Sequence, residues 1–192
     1  SILSESLSRI KPSPTMAVVK KATELKSAGK DIISLGAGEP DFDTPENIKQ
    51  AAIQAIKDGR TKYTVVDGTI ELKRAVIGKF KRENNLIYNE KQVSVGVGGK
   101  HVIFNAILAT INPGDEVLIP APYWVSYPDI VLLAGGTPVI VECEESADFK
   151  ILPEQIEKNV TKNTKWIILN SPSNPTGSVY SEQELKAIGG VL

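Results

Sequence analysis

The chain has 192 residues, and its 22 Lys and Arg nearly balance its 23 Asp and Glu, a balance that argues against a general nucleic-acid binder. A single cysteine excludes an internal disulfide and any zinc site built from several thiolates. No apolar run approaches the roughly 20 residues of a membrane helix and residues 1–5 lack a secretion signal, so we expect a soluble cytoplasmic protein.

The first half of the chain predicts an arm, one brief strand and three helices. Ser13 is a suitable N-cap and Pro14 a suitable first residue for the first helix, and Thr44 and Pro45 play the same parts for the second. The remaining predicted segments are an arm at residues 1–11, a strand at residues 32–35 and a helix at residues 70–83.

The second half alternates short apolar runs with helical patterns. The predicted strands span residues 93–97, 116–119, 138–141 and 164–169. The predicted helices span residues 99–111, 123–134, 153–159 and 181–188. This alternation is typical of the α/β class, with a mostly parallel sheet covered by helices on both faces.

In such a sheet, ligands bind beyond the carboxyl ends of the strands. The glycine-rich turn at residues 96–101 joins a predicted strand to a helix, where backbone N–H groups can approach an anion. A plain tight turn is the alternative. The turn is neither a dinucleotide fingerprint nor a Walker loop, because His101 stands where those motifs need Gly or a hydroxyl residue.

Three further loops are candidates, each with an ordinary structural alternative. Trp124 could stack on a flat ring or simply pack in the core. Asn174 precedes Pro175 and is held out of the helical region, which leaves its amide available to a ligand or makes an ordinary turn. The loop at residues 35–42 has glycines that suit a small anion or no ligand at all.

Two further residues are expected to have a structural role and not a catalytic one. His101 is expected on the surface of a helix or capping it. Cys143 lies among glutamates, whose negative charges disfavour a thiolate, and is expected to be unreactive.

Taken together, these segments resemble the fold type I aminotransferases that depend on pyridoxal 5'-phosphate, in the bacterial aspartate (aspartate/prephenate) aminotransferase branch. The resemblance runs over essentially the whole chain. Its motifs are residues 33–45 (ISLGAGEPDFDTP), 62–64 (KYT), 97–100 (VGGK), 120–128 (PAPYWVSYP) and 170–177 (NSPSNPTG).

The resemblance implies a three-layer α/β/α fold, with the incomplete, mostly parallel sheet of the large cofactor-binding domain. It assigns residues 1–45 to an N-terminal arm and part of the small domain, and residues 46–192 to the large domain. It also implies that the chain is the N-terminal half of a longer enzyme. In addition, it implies that the peptide bonds before Pro122 and Pro175 are cis.

The resemblance also implies site residues. In the cofactor site, Gly98, Gly99 and Lys100 hold the phosphate, Trp124 stacks on the pyridine ring and Asn174 binds its phenolic oxygen, while Tyr63 reaches the phosphate of a neighbouring subunit. The active sites would therefore be shared in a homodimer. In the substrate site, Gly38 binds the α-carboxylate beside Trp124 and Asn174, and Lys11 is the basic residue that accompanies prephenate amination.

The implied activity moves an amino group from aspartate to 2-oxoglutarate through a pyridoxal phosphate imine. The family's catalytic Lys, Asp and Arg are expected beyond these residues, so no catalytic residue is assigned here and the piece alone is expected to be inactive. A carbon-sulfur lyase of the same fold is the alternative activity. A nucleotide-binding Rossmann module is disfavoured because its complete glycine fingerprint is missing.

Overall fold

The computed structural model describes residues 2–36 and 38–192; Ala37, in the predicted glycine loop, and Ser1, in the predicted arm, lie outside them. The chain divides into two compact units. The helical unit comprises residues 14–102, and the sheet unit comprises residues 1–13 together with residues 103–192. The predicted domain division between residues 45 and 46 stays a prediction.

The helical unit carries α1 (Pro14–Ser27), α2 (Glu46–Lys57), α3 (Ile70–Asn84) and a 3-10 turn at Glu90–Gln92. Local signals set its helix ends. Thr69 caps α3 by accepting a hydrogen bond from the N–H of Leu72 at 3.4 Å, and Asn85 ends that helix in the left-handed conformation. The first turn of α4 (Gly99–Thr110) also belongs to this unit.

The sheet unit alternates strands and helices after α4. Its elements are β1 (Glu116–Ala121), α5 (Ser126–Leu133), β2 (Thr137–Glu142), α6 (Pro153–Asn159), β3 (Thr164–Ile167) and α7 (Glu182–Gly189), with 3-10 turns at Glu5–Arg9 and Glu145–Ala147. The strands are parallel in the order β2-β1-β3. The central strand β1 is therefore covered on both edges.

Alternate residues of β1 point to two separate hydrophobic clusters. Val117 and Ile119 pack with residues of α4 and α5, whereas Leu118 packs with residues of β2, α6 and α7. Because neighbouring residues of a strand point to opposite faces, the two clusters lie on opposite faces of the sheet. This confirms the predicted α/β/α layering.

Two predicted strands are wrong. Residues 32–35 and 93–97 lie outside regular secondary structure. Ile33 and Val97 are about nine-tenths exposed, and the N–H of Val95 donates to the carbonyl of Asp67, which is in a turn and not in a strand. Apolar content predicted these strands, but a strand also needs an adjacent partner that supplies its ladder of hydrogen bonds.

Other predicted ends shift by a few residues. α2 begins at Glu46 with Pro45 as its N-cap, one residue later than predicted. α5 begins at Ser126 and not at Tyr123, because residues 122–125 lie outside the helix. The N–H of Tyr127 donates to the carbonyl of Trp124, which closes a turn over residues 124–127. That displacement leaves Tyr123 and Trp124 in a loop beyond β1.

Candidate functional site

A shallow cleft open to solvent lies in the sheet unit, beyond the carboxyl ends of its strands. Tyr123 follows β1, Phe149 follows β2, and Asn170 and Asn174 follow β3; all four line the cleft. This is the edge of a parallel sheet at which ligands bind, as the sequence predicted.

Asn174 stands in a tightly bonded loop on one wall of this cleft. Its N–H donates to Oδ1 of Asn170 at 2.8 Å, and the N–H of Ser173 donates to the carbonyl of Ser178 at 2.9 Å. The Asn174–Pro175 peptide is cis, as predicted, and so is Ser171–Pro172, which was not predicted. The hydrogen bonds of the loop hold the backbone of Asn174, while the residue stays exposed in the cleft.

Trp124 is half-buried against the α4–α5 cluster and does not line the cleft itself. Its ring meets that of Tyr127 edge to face, with centroids 5.4 Å apart and an interplanar angle of 87°. The structure thus shows the packing that was its ordinary interpretation, and stacking on a ligand stays a prediction. The preceding Ala121–Pro122 peptide is cis, as predicted.

The glycine-rich turn of the helical unit needs two of its glycines for different reasons. Gly98 has φ of 101°, a conformation that side-chain-bearing residues rarely adopt. A Cβ on Gly96 would stand 2.8 Å from Cγ2 of Val102 in α4. His101 accepts a hydrogen bond on Nδ1 from the N–H of Val97 at 3.1 Å, which confirms its capping interpretation.

This turn leads directly into α4 at Gly99. The first N–H groups of a helix have no partner within it and carry positive partial charge, so they suit an anion such as a phosphate. The predicted residues Gly98, Gly99 and Lys100 are all exposed. The geometry of this turn is therefore compatible with an anion at the start of α4, and the binding of a phosphate there stays a prediction.

The other predicted site residues are exposed in the structure. Gly38 and Tyr63 belong to the helical unit, and Lys11 belongs to the sheet unit. Lys11 follows the 3-10 turn Glu5–Arg9, which is held to α5 by a hydrogen bond from Nη1 of Arg9 to the carbonyl of Leu132 at 3.4 Å. The ligand roles of Gly38, Tyr63 and Lys11 stay predictions.

Several residues of the cleft were not among the predicted site residues, namely Phe149, Tyr180 and Asn170, although Asn170 begins the motif at residues 170–177. Asn170 carried a usable signal, since it is the first polar residue after the predicted strand 164–169. Phe149 carried none, because its φ of 55° is not an expected conformation for a bulky aromatic residue.

Cys143 is buried in the cluster on the α6–α7 side of the sheet, and its Sγ donates to the carbonyl of Val141 at 3.4 Å. Burial, together with the charges of Glu142 and Glu144, raises the pKa of this thiol. A raised pKa keeps the thiol protonated near neutrality, which supports the prediction that the cysteine is unreactive.

An ion pair anchors the segment that follows Phe149. Nζ of Lys150 lies 2.6 Å from Oε1 of Glu184, while the N–H of Ser181 donates to the other carboxylate oxygen at 2.6 Å. These hydrogen bonds, that from Lys150 foremost, lower the pKa of Glu184 to about 2. A carboxyl whose pKa is lower in the folded state stabilises that state above its unfolded pKa and loses this effect as pH falls.

We therefore expect Glu184→Gln to lower the urea midpoint at pH 7, with the difference from the parent narrowing as pH falls from about 4.5 toward about 2. Unfolding measured by circular dichroism across this range checks it. Glu182→Gln is the matched control on α7, since Glu182 pairs with Lys186 and both side chains are largely exposed to solvent. A Glu184→Gln difference that stays constant with pH would contradict this account.

The chain as a whole is similar to known proteins. The family described as aminotransferase class I and II matches residues 30–191. The aspartate/prephenate aminotransferase of Cereibacter sphaeroides is 63% identical over 190 residues, which are 99% of this chain and 48% of that protein. That of Nitrosomonas europaea is 60% identical over 190 residues, again 99% of this chain and 48% of its own length.

The solved structures to which this chain is similar are also aminotransferases. The aspartate aminotransferase of Thermus thermophilus with maleate has a TM-score of 0.96 at 46% identity, covering 100% of this chain and 50% of its own. The Rhizobium meliloti aspartate aminotransferase has a TM-score of 0.95 at 46% identity, and the match covers 100% of this chain and 48% of that one. The chain spans about half the length of the relatives it matches. Among the described residues, none of the helices has the length and apolar character needed to cross a bilayer.

Proposed function

Because the chain belongs to the class I and II aminotransferases, we propose that the protein containing it uses pyridoxal phosphate to move an amino group from aspartate to 2-oxoglutarate. The names of the relatives in Cereibacter and Nitrosomonas support aspartate as the donor. They also support prephenate as a second acceptor, for which Lys11 is our candidate residue.

The residues present fit the chemistry of this cofactor, which offers a phosphate, a flat ring and a phenolic oxygen. The glycine turn offers backbone N–H groups at the start of α4, with Lys100 beside them, to a dianionic phosphate. Trp124 offers an aromatic face to the ring, and Asn174 offers an amide to the phenolic oxygen. When bound, the cofactor withdraws electrons from the α-carbon of an amino acid, which makes its proton removable.

In this proposal, the residues of this chain hold and orient the cofactor and the substrate. An amide N–H of Asn174 at the phenolic oxygen would favour the deprotonated oxygen, since a hydrogen bond to a charged form stabilises it. The N–H of Gly38 would hold the substrate's α-carboxylate. Proton transfer at the α-carbon is assigned to no residue of this chain.

The observation that carries the proposal is the exposed Asn174 in a cleft beyond the carboxyl ends of β1, β2 and β3. Its backbone is fixed by the bonds within its loop, as a residue that binds a rigid ring requires. We further propose a homodimer in which Tyr63, fully exposed here, reaches the partner's phosphate. Cytoplasmic location stays a prediction.

The test is an absorbance titration of the full-length protein with pyridoxal phosphate. We expect a bound-cofactor band near the visible range that bleaches when aspartate is added and returns with 2-oxoglutarate. Pyruvate release from cystathionine without amino transfer would instead indicate the lyase. Failure to aminate prephenate with aspartate as donor would contradict prephenate as a second acceptor and with it the role of Lys11, and would leave the proposed reaction with 2-oxoglutarate untouched.

A further inference from the structure

Tyr180 lies at the junction of the Asn174 loop and α7, directly before the N-cap Ser181. It is 9% exposed, packs in the cluster with Ile151 and Ile188, and contributes to the lining of the cleft. The proposed chemistry assigns no role to this residue. A buried phenol needs a hydrogen-bond partner, and the partner of Tyr180 indicates what the residue does.

Two hydrogen bonds extend from Tyr180 in different directions. Its backbone N–H donates to Oγ of Ser171 at 3.1 Å, which closes the base of the loop that carries Asn174. Its phenolic oxygen accepts the N–H of Ile151 at 2.8 Å, in a segment 29 residues away along the chain. One residue thus joins two loops that both line the cleft.

The second loop holds an unusual backbone. Asp148 and Phe149 have φ of 53° and 55°, so two successive residues with side chains are left-handed. Phe149 lines the cleft, and the Lys150–Glu184 pair and the Tyr180 hydroxyl fix the residues that follow it. Such a backbone persists only where its surroundings hold it in place.

We propose that Tyr180 is a positioning residue, whose hydroxyl fixes Phe149 and Asn174 relative to each other on the walls of the cleft. The effect on a bound cofactor rests on the proposed function, whereas the link between the loops does not. The alternative is that Tyr180 only fills the core, in which case its ring matters and its hydroxyl does not.

Tyr180→Phe separates these alternatives, because it keeps the ring and leaves the buried N–H of Ile151 without its acceptor. In the full-length protein without cofactor, we expect amide hydrogen exchange to accelerate about tenfold at both Ile151 and Asn174. Tyr88→Phe, at a partly exposed ring that contacts Phe80, is the matched control and should change neither amide. Acceleration at Ile151 alone, or at neither residue, would overturn the proposal.

The second measurement is the pH midpoint of the absorption change of bound pyridoxal phosphate. Loss of the amide in Asn174→Ala should move this midpoint to higher pH, and Tyr180→Phe should move it partway in the same direction. The double variant should move no further than Asn174→Ala. An unmoved midpoint in Tyr180→Phe, or additive shifts, would contradict the role at the cofactor. A parent protein without any cofactor band would overturn the proposed function, and the exchange result would still decide the link between the loops.

Discussion

Replacing Gly98 by alanine should weaken binding of pyridoxal phosphate to the full-length protein by about tenfold or more. Gly98 has φ of 101°, and holding a residue with a side chain in a sparsely populated conformation costs on the order of 1–3 kcal/mol. A Cβ there would meet nothing within 4 Å, so the effect comes from the backbone of the turn and not from a clash. Fluorescence or absorbance titration gives the Kd.

Gly59→Ala is the matched control for this variant. Gly59 also has a positive φ, 72°, and open space around its Cβ position, but it follows the C-terminus of α2, away in sequence from the glycine turn. We expect it to lower stability without changing the Kd for pyridoxal phosphate. Equal weakening by both substitutions would contradict the assignment of the phosphate to Gly98.

Replacing Leu118 by alanine should lower the free energy of unfolding by about 2–5 kcal/mol, because it removes a large side chain from a closed core. Leu118 is fully buried in the central strand β1 and packs against β2, α6 and α7. Urea unfolding followed by circular dichroism measures the change.

Leu108→Ala controls for the substitution itself. Leu108 is 53% exposed on α4, where alanine is a good helix former, so we expect a change within about 0.5 kcal/mol. Similar losses from both variants would show that Leu118 does not occupy the closed core described above.

The elements predicted correctly from the sequence carry strong local signals. Pro153 begins α6, Ser181 caps α7 through a capping box with Glu184, and Gly98 leads into α4 at Gly99. Each signal acts within one turn of the chain. The position of the cleft was also predictable, because the carboxyl ends of parallel strands share one edge.

The errors arise where distant segments decide the outcome. Apolar residues 32–35 and 93–97 satisfied the pattern of a strand, but pairing cannot be seen in a single segment. The bond between Tyr180 and Ile151 joins residues 29 positions apart, and Phe149, two residues before Ile151, has a left-handed backbone. Patterns of three or four residues carry no information about such contacts.

The most direct test of the proposed function traces the amino nitrogen of aspartate with a 15N label. The full-length protein, with pyridoxal phosphate, 15N-aspartate and 2-oxoglutarate, should yield 15N-glutamate and oxaloacetate in equal amounts, as mass spectrometry would detect. Asn174→Ala should slow this transfer under the same conditions. Label that remains in aspartate, or leaves as free ammonia without forming glutamate, would contradict the account.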